Sequence, residues 1–182
     1  MKIIETGFKG LIVIKPVIHK DTRGYFFESF NQVVFEKEDI IFTPVQDNES
    51  RSVKGVLRGM HYQLNPFPQA KLIRVVEGRI FDVALDIRKK SRTYGKWFGI
   101  ELSSENKDQL LIPHGFAHGF SVLSDFAIIQ YKCDNIYNAE HERGINLNDP
   151  TLDINWKLGS TIPIISDKDL VQPLFKDAES SF

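Results

Sequence analysis

Lys71-Leu72-Ile73-Arg74-Val75-Val76-Glu77-Gly78-Arg79-Ile80-Phe81-Asp82-Val83-Ala84-Leu85-Asp86-Ile87 is the stretch on which the fold turns. Two runs rich in β-branched residues flank a single glycine, which reads as two strands joined by a tight turn. On the second run, Phe81, Val83, Leu85 and Ile87 share one face. Ile80, Asp82, Ala84 and Asp86 share the other. Such alternation reads as a half-buried strand with ordinary solvent-facing aspartates. The competing reading places those carboxylates, with Lys71, along a polar cavity.

Outward from this hairpin, strand-like runs continue in both directions. Gly10 to Ile18 is β-branched, with Pro16 suited to an edge. Tyr25 to Phe30 is aromatic and extended. Leu57 to Gln63, Phe98 to Leu102, Leu110 to Ile112, Gly119 to Leu123 and Ala127 to Cys133 extend the series. Turn-prone residues recur at intervals of roughly eight to twelve positions, the spacing of a sandwich or barrel. Helix signals are few: Asn31 to Glu38, with Asn31 as N-cap, and one turn over Asp167 to Val171. The expectation is one all-β, jelly-roll domain over residues 1–182 with a few short peripheral helices.

The chain has 182 residues, 42% of them hydrophobic and 26% charged, enough for a sizeable core. Its formal net charge of −1 offers no basic surface for nucleic acid, so an anionic ligand needs a local cation cluster. No apolar run approaches the roughly 20 residues that span a bilayer. Met1-Lys2-Ile3-Ile4-Glu5 lacks the features of a signal peptide. The lone Cys133 excludes an internal disulfide and suits a reducing compartment. These features read as cytoplasmic, without nucleic-acid or membrane partners.

Two segments carry chemistry. Leu57-Arg58-Gly59-Met60-His61-Tyr62-Gln63 sets an anion-binding arginine beside a histidine able to move protons near neutral pH. Pro113-His114-Gly115-Phe116-Ala117-His118-Gly119-Phe120 has the outline of the second cupin motif, and Gly59-x-His61 to Gly78 that of the first. Metal-binding cupins usually present His-x-His and a nearby Glu. Here Gln63 takes the second histidine position, and Leu64 to Lys71 contains no Glu. Two histidines alone make a poor transition-metal site, so neither metal nor cofactor is expected. His61 is then free to act as a base, with Asp82, Asp86 or Asp169 behind the ring; spacing does not choose among them. Arg23, Arg58 and Lys168 are cations suited to a diphosphate. Tyr131 and Tyr137 offer a proton donor and a stacking surface. Cys133 has no local partner for nucleophilic catalysis.

Taken in order, these motifs make the chain similar to the dTDP-4-dehydrorhamnose 3,5-epimerases, metal-free cupins. The resemblance runs from about Gly10 to Leu170. It includes Asp21-Thr22-Arg23-Gly24, Gln46-Asp47-Asn48, Leu57 to Gln63, Gln69-Ala70-Lys71-Leu72, Ile112 to Phe120 and Ser166-Asp167-Lys168-Asp169. It implies a cupin-type jelly roll that epimerises a dTDP-4-keto-6-deoxyhexose at C3 and C5 without a cofactor. His61 would be the base, paired with Asp169, and Tyr131 the acid on the opposite face. Lys71 would stabilise the enolate oxygen. Arg23, Glu28, Gln46, Asn48, Arg58, His118, Glu142 and Lys168 would contact the sugar nucleotide, and Tyr137 would stack on thymine. The resemblance also implies a homodimer that exchanges strands. Asn138 stands where a second tyrosine often follows. Rival readings are an epimerase acting at C3 or C5 alone, a metal-dependent cupin dioxygenase and an inert sugar-nucleotide binder.

Overall fold

The computed structural model describes residues 1–182, and its strands form two large antiparallel sheets. The first has six strands in the order β1 (Lys2–Glu5), β2 (Ile12–Lys15), β10 (Gln109–Ile112), β7 (Lys71–Glu77), β12 (Phe126–Cys133) and β5 (Gln46–Val53). The second runs β13 (Glu142–Gly144), β6 (Leu57–Gln63), β11 (Phe116–Val122), β8 (Arg79–Asp86) and β9 (Trp97–Ser103). A separate hairpin pairs β3 (His19–Asp21) with β4 (Gly24–Phe26).

The two large sheets face one another in a cupin-type jelly roll. Ile73, Val75, Leu110 and Ile129 of the first meet Ile80, Ala84, Phe116, Phe120 and Val122 of the second in one buried cluster. Each of these side chains other than Ala84 contributes roughly 1.5–3 kcal/mol by leaving water. Gly78 turns the opening hairpin at φ +81°, a conformation that suits glycine. Gly59 lets β6 approach β11, because a Cβ there would lie 2.7 Å from the His118 carbonyl oxygen and closer still to Gly119. That approach sets His118 directly opposite His61 across the two strands.

Both helices fall within the expected segments, the first on its expected cap. Asn31 Oδ1 accepts from the Val34 N–H at the start of α1 (Gln32–Lys37). Ser166 Oγ does the same for Asp169 at the start of α2 (Asp167–Leu170). No helix is long and apolar enough to cross a membrane.

The reading of Asp82 and Asp86 as solvent-facing is overturned: both are 0% exposed. Strand β8 lies inside its sheet, and both of its faces are covered. Phe81, Val83 and Leu85 pack against Ile145, Leu147, Leu152 and Trp156 from the chain after β13. Ile80 and Ala84 point into the barrel with the aspartates. Asp86 is matched by Arg88, Ser91 and Thr93, which donate to its two oxygens, whereas Asp82 pairs with His118 through Oδ1 and its Oδ2 is buried without a partner.

Candidate active site

A cavity of about 470 Å³ opens between the sheets. One wall comes from β6 and β11 and carries Arg58, His61 and His118. The other comes from β7 and β12 and carries Lys71 and Tyr131. Helix α2 closes one side with Lys168 and Asp169. A second hollow of about 280 Å³ shares His61, Lys71 and Tyr131 with the first and adds Gln46, Asn48, Gln63, Tyr137 and Glu142. These three side chains border both hollows.

The alternatives left open behind His61 close on Asp169, whose Oδ1 lies 2.6 Å from His61 Nε2. Asp169 is 3% exposed. Burial pushes its carboxyl up, but hydrogen bonds from His61, the Gly59 backbone and Ser166 outweigh burial and hold it below the usual carboxylate range. An ionised Asp169 fixes the tautomer of His61 with a lone pair on the other ring nitrogen. Asp82 serves the neighbouring histidine instead, 2.7 Å from His118 Nε2. Asp86 is spent on Arg88.

On the opposite wall, burial raises the Tyr131 phenol, so it stays protonated at neutral pH. Burial lowers the Lys71 ammonium, which makes it a readier hydrogen-bond donor. Arg58 and Lys71 belong to none of the chain's ion pairs, which leaves two free cations facing the cavity. Lys168 is different, because it donates to Glu142. Burial pushes Glu142 up, yet its bonds from Lys168 and Tyr137 bring it below its ordinary value. Cys133 is buried, its thiol pushed up to about 11 chiefly by burial, and no nucleophile is available there.

Arg23 and Glu28 are not brought to either hollow. Arg23 is bonded to Asp21 on the exposed β3–β4 hairpin, and Glu28 accepts from Asn31 beside a separate hollow. One residue escaped the reading from sequence. Ser50 lines the cavity with a buried, unpartnered hydroxyl. It follows Gln46 and Asn48 on one face of β5, and period-two alternation along that strand would have found it.

Comparison with known proteins comes to the same place. The family model described as dTDP-4-dehydrorhamnose 3,5-epimerase matches residues 5–177. A dTDP-4-dehydrorhamnose 3,5-epimerase of Shigella flexneri is 51% identical over 182 residues, covering 98% of each chain. The dTDP-6-deoxy-D-glucose-3,5-epimerase of Legionella pneumophila, solved in complex with dTDP-4-keto-L-rhamnose, superposes with a TM-score of 0.92 at 48% identity, covering 96% of this chain and 93% of that one. A 3'-monoepimerase from Streptomyces bikiniensis, solved with dTDP-quinovose, gives 0.87 at 33% identity, covering 93% and 85%.

Proposed function

The chain belongs to the dTDP-4-dehydrorhamnose 3,5-epimerase family, and from that premise we propose how it converts dTDP-4-dehydro-6-deoxy-D-glucose to dTDP-4-dehydro-L-rhamnose. One observation carries the reading. A histidine–aspartate pair and a protonated tyrosine stand on opposite walls of one cavity, with an unpaired lysine between strands β10 and β12 on the tyrosine's side.

The 4-keto group acidifies the hydrogens at C3 and C5, because the carbanion delocalises onto oxygen. His61 takes the proton from one face, and Asp169 stabilises the imidazolium that forms. Lys71 donates to the enolate oxygen where negative charge develops. Tyr131 delivers a proton to the opposite face, so the carbon is inverted. His61 then holds one proton more and Tyr131 one fewer, and exchange with water restores both before the second centre reacts. Arg58, His118 and Lys168 hold the diphosphate, and Glu142, Gln46, Asn48 and Tyr137 line the nucleoside end.

Arg23 and Glu28 reach a site only if the β3–β4 hairpin inserts into a second copy. Tyr25 and Phe26 on that hairpin are 56% and 67% exposed, which supports a homodimer with exchanged strands. A monomeric mass in sedimentation equilibrium overturns the dimer.

Turnover in deuterated water tests the reaction. The expected product carries deuterium at both C3 and C5, read by NMR. Label at a single carbon refutes double epimerisation and points to the chemistry named for the Streptomyces bikiniensis relative.

A further inference from the structure

Residues 135–138 form no helix or strand, yet each has a backbone group held by a glutamine side chain. The Asn135 carbonyl accepts from Gln69 Nε2 at 2.8 Å. The Ile136 carbonyl accepts from Gln63 Nε2 at 3.2 Å. The Tyr137 N–H donates to Gln46 Oε1 at 2.8 Å, and the Asn138 N–H to Gln63 Oε1 at 2.7 Å. Gln63 Nε2 also donates to the Phe67 carbonyl at 2.6 Å, which ties in the loop before β7. Three glutamine amides thus hold four consecutive residues, and Gln63 alone makes two of those bonds.

Gln63 is 4% exposed and shares a face of β6 with His61. A single strand therefore places the proton-abstracting ring and the clamp on the loop that carries Tyr137. The Tyr137 ring is 53% exposed at the second hollow and is tethered at its far end by a 2.6 Å bond from its hydroxyl to Glu142. Without the clamp, that loop must be ordered when ligand binds, and the cost falls on affinity.

We propose that Gln63 is a positioning residue for nucleobase recognition, fixing the Tyr137 loop so that the ring is pre-set to receive the base. The proposal rests on the reading of Tyr137 as the base-stacking residue. The amide does work here that no charged or apolar side chain reproduces, since the loop demands two donors and one acceptor from one residue.

The test is a double-mutant cycle on the full chain, with dTDP and inorganic pyrophosphate as probes in calorimetry and substrate kinetics alongside. Gln63→Leu is expected to weaken dTDP binding about tenfold, the size of a lost base–aromatic stack, and to leave pyrophosphate binding unchanged. KM rises by a similar factor and kcat stays within about threefold. Tyr137→Ala gives the same pattern, and the double variant is no weaker than the weaker single. Gln63→Glu keeps the size and the acceptor but sets a carboxylate against two carbonyls. It should repeat the phenotype and serves if the leucine variant fails to fold. Additive effects, unchanged dTDP affinity, or a kcat loss at constant KM overturn the role of Gln63. A Tyr137→Ala variant that binds dTDP as tightly as the natural chain overturns the stacking reading instead.

Discussion

Replacing Asp169 by asparagine removes one charge from the site and little else. The amide matches the carboxylate in size and retains an oxygen to accept the His61 N–H now seen at 2.6 Å. Asp169 is 3% exposed, so solvent screens it weakly. Two unit charges about 4 Å apart attract by about 4 kcal/mol at an effective dielectric near 20, and a hydrogen bond to a charged group is worth about 1.5–3 kcal/mol. That stabilisation acts on the imidazolium, which exists only once the proton has moved, so its loss falls on the barrier. A loss of roughly 2–4 kcal/mol lowers kcat about 30- to 1,000-fold. The assay couples turnover to a 4-ketoreductase and follows NADPH consumption under conditions where the reductase is in excess. dTDP affinity should be unchanged, because Asp169 faces His61 and not the nucleoside hollow. A kcat within threefold of the natural chain refutes the view that Asp169 stabilises the protonated base.

Two further outcomes follow from the same geometry. Tyr131→Phe should separate exchange from inversion: His61 still swaps protons with deuterated water on its own face, while inversion falls at least about a hundredfold, and inversion at the natural rate refutes Tyr131 as the acid. Asp86→Asn should cost about 3 kcal/mol at pH 7, since it strips Arg88 of a buried partner. Burial pushes the Asp86 carboxyl up, but Arg88, Ser91 and Thr93 hold it below its ordinary value. Its stabilisation is therefore complete above the unfolded carboxylate range and is lost as pH falls through the lower folded value. The gap between the thermal melts of the two proteins should begin to narrow below about pH 4 and close as pH falls through the lower folded value, and a gap that stays constant from pH 7 to pH 3 refutes the assignment.

Much of this was legible in the chain. The hairpin around Gly78, the strand bearing His61, the two short helices and the Asn31 cap follow from period and cap chemistry, and they stand where expected. Two kinds of feature were hidden. Strand β5 is Gln-Asp-Asn-Glu-Ser-Arg-Ser-Val, so polar that no hydrophobic alternation marks it; pairing with β12 along its whole length makes it a strand. Asp82 and Asp86 looked solvent-facing because alternation on β8 says nothing about what later covers its other face. Leu147, Leu152 and Trp156, far along the chain, cover the Phe81 face, which leaves Asp82 and Asp86 on the face turned toward the opposite sheet. Choosing Asp169 over Asp82 for His61 likewise needed the path of α2 back to β6, a contact across 108 positions that local spacing does not encode.

His61 and Tyr131, the base and acid of the proposed reaction, stand on different sheets, and the side chains packed between those sheets help to set the distance between them. Ile73 and Ile129, on the strands of Lys71 and Tyr131, share one buried cluster with Phe120, two residues from His118, between the sheets. The hydrophobic core is thus a spacer whose thickness is read out in proton-transfer distance. Trimming a methyl group from it is a mild insult to folding, yet it lets the walls settle together and alters both transfers at once. On the proposed mechanism, turnover should therefore register core substitutions that shift the melting temperature only slightly.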